Sequence, residues 1–400
     1  MHIQSDVCII GNGAIGKVAA LGFAQAGLKV TLLSPLAASA IRTPQSPAAI
    51  EAWDVRVYAV NHVAHDLLSS VKVWEALDAT RVAPVDSMVA NGDAAGALAF
   101  DAYGARVGTL AWIVEDRNLN QALDAALKFA SNVRTVHGRA VDLKADDTAA
   151  RVQLENGDTL GAELIVGADG GQSWVRTQCN IDFDYRPYGQ RAIVSNFTCE
   201  KAHHGIAHQW FSVSEGIIAL LPLPGNQVSL VWSAPDALAD TLAQESLTQL
   251  AARLSALAAT ELGSLTPLQP EIVKSFPLSL IRPHAITAPR VALIGDAAHV
   301  VHPLAGHGMN LGFADVAGLI KAVMERGAHR DCGDARVLAR YARSRKEDIL
   351  LMQLATDGLA RLFGTAFEPL RIVRNLGLNL VNKLPVLKRR LIGHALGSKN

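Results

Sequence analysis

Residues 291–319, VALIGDAAHVVHPLAGHGMNLGFADVAGL, hold His299, His302 and His307, with Asp296 and Asp315, around a run of glycines beside a strongly apolar segment. Such residues could ligate a metal, form an acid–base dyad, or leave the glycines free to cradle a phosphorylated group. A metal needs ligands converging on one open position with outer carboxylates to orient them. These three histidines fall instead on a strand end, on a loop before Pro303 and on a turn, so no metal is expected. His203, His204 and His208 in HHGIAH share only proximity and read as exposed loop histidines.

Gly11, Gly13 and Gly16 in CIIGNGAIGKVAALGFA fit G-x-G-x-x-G between a strand and a helix, where backbone amides at the helix start can meet a pyrophosphate. Ala14 opens that helix. The acid expected about 20 positions on, for the ribose hydroxyls, is replaced by Ser34, whose hydroxyl hydrogen-bonds more weakly than a carboxylate. LIVGADGGQSWVR (164–176) is a second strand-to-turn site, at Asp169-Gly170. ALIGDAAH is a third, at Gly295-Asp296. Three strand ends of one sheet, distant in sequence, would meet at its carboxyl edge, where open α/β sheets bind ligands.

The elements that must position these turns start with a βαβ unit: a β-branched run at 6–10, a helix at 14–26 ending at Gly27, and a strand at 29–34. A proline-rich loop fills 34–53. Helical patterning returns at VNHVAHDLLSSVKVWEAL and RNLNQALDAALKFA, followed by a hairpin turning at Asn156-Gly157 and a buried strand. From about 189 to 233 the pattern is strands only. One helix is expected next, with Leu242, Leu247, Leu250, Leu254 and Leu257 at helical spacing. An α/β domain is thus interrupted by a β-rich insert.

Of 400 residues half are hydrophobic, and 37 Lys+Arg balance 37 Asp+Glu, so no global field recruits nucleic acid. Cys8, Cys179, Cys199 and Cys332 form no C-x-x-C pair. That disfavours a zinc knuckle or disulfide framework and fits a reducing compartment. The N-terminal residues carry no basic n-region and long h-region, and no apolar run reaches the roughly 18 residues of a membrane span. The expected location is the cytoplasm.

Taken in order, GNGAIG, WDVRVYAV, AWIVEDRNLNQAL, GADGGQSWVR, YGQRAIVSN, ALLPLPGNQVSLVWS, RVALIGDAAHVVHPLAGHGMNLGFADVAGL, YARSRKEDILLMQLATDGLARLF and LRIVRNLGL run nearly the whole length. They resemble the flavin-dependent aromatic hydroxylases of the p-hydroxybenzoate hydroxylase type, and more closely the ubiquinone-biosynthesis hydroxylase family. The resemblance implies an α/β fold with a Rossmann-like FAD-binding domain (1–70, 101–180, 273–330), a β-rich substrate domain (71–100, 181–272) and a C-terminal helical segment (331–400). It implies FAD held non-covalently, NADPH or NADH as reductant, and molecular oxygen activated as a flavin hydroperoxide. Carried over by motif, Gly11, Gly13 and Gly16 face the pyrophosphate, and Arg56 and Arg117 lie in cofactor-contacting blocks. Asp169 helps shape the site and Asp296 bonds the ribityl and phosphate region. Pro303, Gly306, His307, Gly308, Met309 and Asn310 pass beside the ring. His307 departs from the pattern, which carries glutamine there. A helix starting near Gly308 would set its positive end against the anionic reduced flavin.

The expected activity is hydroxylation of a polyprenylated phenol in ubiquinone biosynthesis. Tyr188, Gln190, Trp210, Phe211, Leu221 and Pro222 are the candidate substrate residues, and no catalytic acid–base dyad is assigned. The alternatives are a hydroxylase of a small aromatic acid, a flavin reductase, or a non-catalytic flavin-binding subunit of a biosynthetic complex. No W-x-W-x-I-P run supports a halogenase. The tail carries Arg371, Arg374, Lys383, Lys388, Arg389, Arg390 and Lys399 without an acid. It reads either as a helix packed on the body with a solvated basic face or as a peripheral contact with anionic lipid, at the inner face of a bacterial inner membrane.

Overall fold

The first strand, His2–Ile10, is apolar on both sides. Val7 and Ile9 enter one buried cluster while Cys8 and Ile10 enter another. Side chains alternate across a strand, so this one must lie inside a sheet covered on both faces. The computed structural model, which describes residues 2–35, 53–93, 96–268, 272–303 and 307–364, places it so. Parallel strands run in the order Val291–Leu293, Thr159–Gly167, His2–Ile10, Val30–Ser34 and Val133–His137. Thr159–Gly167 is also one arm of the expected hairpin, paired antiparallel with Ala150–Leu154. Helices Ala14–Gln25 and His307–Met324 pack on the face that carries Val7 and Ile9.

A second sheet is built from Phe183–Cys199, Gln227–Pro235, Gly216–Leu223 and Ile206–Ser212, the strands expected between 189 and 233. Leu265–Pro267, Lys274–Pro283, Ser87–Asn91 and Ala97–Asp101 extend it. A small antiparallel sheet of Val57–Val60, Ala111–Glu115 and Val82–Val85 is hydrogen-bonded to neither and packs against the second.

The single leucine-rich helix expected after the second sheet is two, Asp236–Gln244 and Leu247–Leu262. Ser246 breaks it, because its side chain accepts from the Gln249 amide while Gln249 returns a bond to the Ser246 amide. That reciprocal cap starts a new helix. Leu242, Leu247, Leu250 and Leu254 still bury together against Ile218, Leu220 and Trp232. The helix expected over 60–77 ends at Ser70 and is followed by a 3-10 turn, Trp74–Ala76. Lys72 takes a φ of +60° there, a left-handed residue that an α-helix does not continue through. The last described element, Ala335–Gly364, packs beside His307–Met324.

Candidate functional site

Register places the three glycine-bearing turns side by side. Ile10 is level with Leu33 on one flank and Gly167 on the other, and Gly167 is level with Leu293. Gly11, Ser34, Asp169 and Asp296 therefore leave the sheet at one carboxyl edge. The edge is sewn by amides: Gly11 donates to Leu33 O, Ala168 to Ile10 O and Ile294 to Gly167 O.

In the first turn the glycines do different jobs. Gly11 has φ +115°, and a Cβ there would stand 2.2 Å from Ala168 O. A Cβ on Gly16 would stand 1.9 Å from Gly11 O. Both are needed for the turn and helix to close against the sheet. Gly13, by contrast, faces open space. It caps helix Ala14–Gln25 without a side-chain hydrogen bond, and the first turn holds no acid, so the amide-rich end stays available to an anion. Ser34 is buried; its hydroxyl accepts from Asn12 Nδ2 at 2.6 Å.

The Asp169 carboxylate is engaged by its own turn, accepting from Ser173 Oγ at 2.5 Å and the Val175 amide at 3.0 Å. Arg176 then donates to Gly171 O and Ala297 O, bracing this turn against the third. Asp296 is exposed, yet surrounded by enough protein to lose part of its hydration. That partial burial raises its carboxyl pKa above the ordinary value, with His299 and Arg56 opposing. Arg56, exposed and 240 positions earlier in the chain, stands over the Tyr58 ring, whose hydroxyl donates to Asp116 Oδ1 at 2.6 Å. Arg117 is half-buried beside Glu115.

Helix His307–Met324 has no acid in its first turn, and Gly308 faces open space. Asn310 is engaged structurally, donating to Ala59 O at 2.7 Å and accepting from the Asn61 amide at 2.9 Å. Met309 packs on the core and Pro303 is half-buried. Gly306 and the side chain of His307 lie outside the described residues. A helix start without a side-chain cap at Gly13, two open glycine faces and the Asp296 carboxyl at the same edge fit the pyrophosphate, ring and ribityl hydroxyls of FAD.

The histidines turn to separate partners. His299 is buried, with Nε2 2.5 Å from Asp315 Oδ2, and His302 is buried with Nε2 2.9 Å from Gln190 Oε1. No group of three His, Cys, Asp or Glu able to hold a metal occurs among the described residues. The reading of HHGIAH as exposed loop histidines needs correction. His208 is buried in strand Ile206–Ser212 and stacks on Trp210 at 5.6 Å, and His203 Nε2 is 2.8 Å from Leu223 O; only His204 is exposed.

The candidate substrate residues divide. Trp210 packs on the helix-covered face of the second sheet, whereas Phe211 lies on the opposite face with Ala90, Leu98 and Ile217. Leu221 packs between the second and the small sheet, and Pro222, one position on, is buried facing the other way. Tyr188 and Gln190 sit where the pairing of Phe183–Cys199 with Lys274–Pro283 slips, beside Gly189 at φ +65°. That bulge re-aims both residues toward His302, whose ring meets Tyr188 edge-on at 4.9 Å.

Two hubs escape the sequence reading. Asp315 is fully buried and accepts from the Gly295 amide, His299 and Arg345 Nε. Glu115, also buried, takes a two-pronged bond from Arg81 and one from the Asp54 amide. A lone carboxylate within an apolar helix, as in NLGFADVAGL, was the available signal, since it must find a partner. Burial pushes the thiols of Cys8 and Cys332 up to about 12 and of Cys179 and Cys199 up to about 11, so none is a nucleophile at neutral pH.

Comparison with known proteins agrees with this geometry. The FAD binding domain family matches residues 4–349. The chain is 33% identical over 397 residues to the 3-demethoxyubiquinol 3-hydroxylase of Escherichia coli, covering 98% of each chain. It is 33% identical over 398 residues to the ubiquinone hydroxylase UbiL of Rhodospirillum rubrum, covering 98% of this chain and 90% of that one. Among solved structures, p-nitrophenol 4-monooxygenase PnpA of Pseudomonas putida superposes with a TM-score of 0.75 at 17% identity, covering 100% of this chain and 99% of that one. PqsL of P. aeruginosa, in complex with 2-aminobenzoylacetate, superposes with a TM-score of 0.74 at 21% identity, covering 94% and 99%. The structural likenesses show the fold. With the match to the FAD binding domain and the two full-length relatives, they place the chain in the FAD-dependent aromatic monooxygenases, where it belongs to the ubiquinone-biosynthesis hydroxylase family.

Proposed function

We propose that this enzyme hydroxylates the aromatic ring of a polyprenylated phenol on the route to ubiquinone, using molecular oxygen and NADPH or NADH. The observation that carries the reading is a junction. The carboxyl edge, with Gly13, Gly308 and Asp296 open, runs to the point where Tyr188 and Gln190 of the second sheet meet His302. Bound FAD supplies the redox centre at which oxygen is activated. The free amides of helix Ala14–Gln25 would hold its pyrophosphate, with Arg56 adding positive charge, and Asp296 would accept from its ribityl hydroxyls. The start of helix His307–Met324 would offer its positive dipole end to the charge of the reduced group. Residues 71–100 and 181–272 form the substrate side, with Tyr188 orienting the phenol directly and Gln190 through His302, while Phe211 and Leu221 help exclude water. A small aromatic acid is less well served, because Arg186, the cation over Tyr188, is already paired with Asp357.

The purified protein is expected to be yellow and to release FAD on denaturation. Supplied with NADPH, labelled dioxygen and prenylated phenol precursors, it is expected to add one labelled oxygen to the ring, read by mass spectrometry. A protein that gains no flavin absorbance when FAD is added, or that oxidises NADPH without labelling any precursor, overturns the reading.

The polyprenyl chain belongs in a bilayer, and among the described residues no helix is long and apolar enough to cross one. We assign peripheral attachment, at the inner face of a bacterial inner membrane, to the basic tail 371–399, which lies outside the described residues. The exposed Leu350, Leu351 and Leu354 of helix Ala335–Gly364 lead toward it. Each basic residue near an anionic surface contributes about 1 kcal/mol. Replacing Lys388, Arg389 and Arg390 by glutamate is therefore expected to abolish sedimentation with anionic vesicles at low salt. Equal sedimentation of both proteins would show that the tail packs on the body.

A further inference from the structure

The buried imidazole of His302 has one nitrogen engaged and one idle. Nε2 lies 2.9 Å from Gln190 Oε1, a carbonyl oxygen that can only accept, so Nε2 carries the ring proton and Nδ1 keeps its lone pair. Nδ1 is buried and has no hydrogen-bond partner among the described residues. An unpaired buried acceptor is costly and marks a place where a ligand completes the bonding. Around it stand the Tyr188 ring, edge-on at 4.9 Å, and the Arg186–Asp357 ion pair, which brings helix Ala335–Gly364 to the same corner.

We propose that His302 accepts, at Nδ1, a hydrogen bond from the ring hydroxyl of the substrate. The assignment rests on the phenol reading above. Burial pushes the imidazole pKa down to about 4, with Asp357 opposing, so the ring is neutral at working pH and its acceptor is always present. An imidazole so poorly basic does not remove a phenolic proton of pKa about 10. No covalent bond is broken at this contact. The hydroxyl is held and the ring's rotation within its own plane is fixed, while the lone pair of Nδ1 raises electron density on the phenolic oxygen and the adjacent ring carbons.

The test uses FAD-loaded protein and two probes, 2-prenylphenol and its methyl ether, with binding read from the perturbed flavin absorbance. The ether cannot donate. Wild type is expected to prefer the phenol about tenfold, the scale of one hydrogen bond. Asparagine places a polar atom where Nδ1 stands, and glutamine places one where Nε2 stands. His302→Asn should therefore keep the preference, whereas His302→Gln should keep FAD and the Gln190 contact but bind both probes equally. A purely structural role predicts the reverse order. Gln190→Leu leaves His302 in place and frees its tautomer, so it should cut the preference severalfold, and it gives the same reading where a histidine variant does not fold. Retention of the full preference in His302→Gln or Gln190→Leu overturns the assignment while leaving the substrate reading intact. Binding of neither probe by wild type overturns both.

Discussion

Gly13→Ala is expected to yield a folded protein that no longer retains FAD, while Gly16→Ala is expected not to fold stably at all. The two positions are three residues apart in one motif, and their surroundings differ completely. At Gly13 an added methyl meets nothing within 4 Å, and the backbone there has φ −67° and ψ 173°, which any residue adopts. In the proposed binding mode the open space is where the pyrophosphate approaches the amides of helix Ala14–Gln25, so the methyl displaces ligand and not protein. FAD affinity should fall at least ~10-fold, about 1.4 kcal/mol or more, with the melting temperature of the FAD-free protein unchanged. At Gly16 the methyl would stand 1.9 Å from a backbone oxygen, and the turn cannot yield without pulling Gly11 away from Ala168. Overpacking against backbone should cost about 3 kcal/mol or more. Thermal melting of the FAD-free proteins beside a flavin titration checks both. Equal melting of the two variants would show that the close contact at Gly16 does not govern the fold.

Asp315→Ala is expected to destabilise the FAD-binding body by about 3–5 kcal/mol, because it removes the fully buried carboxylate from Arg345 Nε and leaves that guanidinium only its half-exposed carboxylate partner Asp348. His299 and the Gly295 amide lose theirs as well. Burial opposes ionisation of Asp315, but the charges and hydrogen bonds of His299 and Arg345 outweigh it and hold its pKa below the ordinary value. A depressed carboxyl contributes stability that is complete above its unfolded pKa of about 4 and is lost as pH falls below that. His302, neutral in the fold with a pKa of about 4 against 6.5 when unfolded, adds stability that is full above pH 6.5 and lost as pH falls toward 4. Acid denaturation should therefore begin below pH 6.5 and steepen below about 4. Denaturant midpoints measured from pH 7 to 3 check this. Asp315→Asn should remove the lower step only, and a variant with an unchanged lower step would place the acid sensitivity elsewhere. Because Asp315 holds the Gly295 amide, the same variant should also loosen FAD through the Asp296 turn.

How much of this was readable beforehand follows from the range of each interaction. The first strand, Gly-rich turn and helix are local, and so is the hairpin at Asn156-Gly157, where turn chemistry acts between neighbours. The boundary at Ser246 was local too, but a continuous leucine period concealed the capping box. The three turns were recognisable one by one. Their meeting depends on register between strands distant in the chain, such as Ile10 with Gly167, 157 positions on, which no local pattern specifies.

Side-chain engagement was hidden altogether. Asp169 and Asn310 stand in cofactor-type blocks, yet their polar atoms hold the turn and the backbone of Ala59 and Asn61. His208 reads as a loop residue until the strand closes over it. The chemical class, the family blocks, the parallel sheet and its glycine-rich turn were determined by the amino-acid order itself, because glycine geometry, apolar periodicity and turn preference act over a few residues. Only the tertiary structure decided that Arg56 lies near Asp296, that Asp315 bridges His299 to Arg345, and that a strand bulge aims Gln190 at His302. Those pairings join residues 16 to 240 positions apart, so none forms until the chain has folded; at His299, Asp315 and His302 packing has also removed the water that would otherwise satisfy the polar groups.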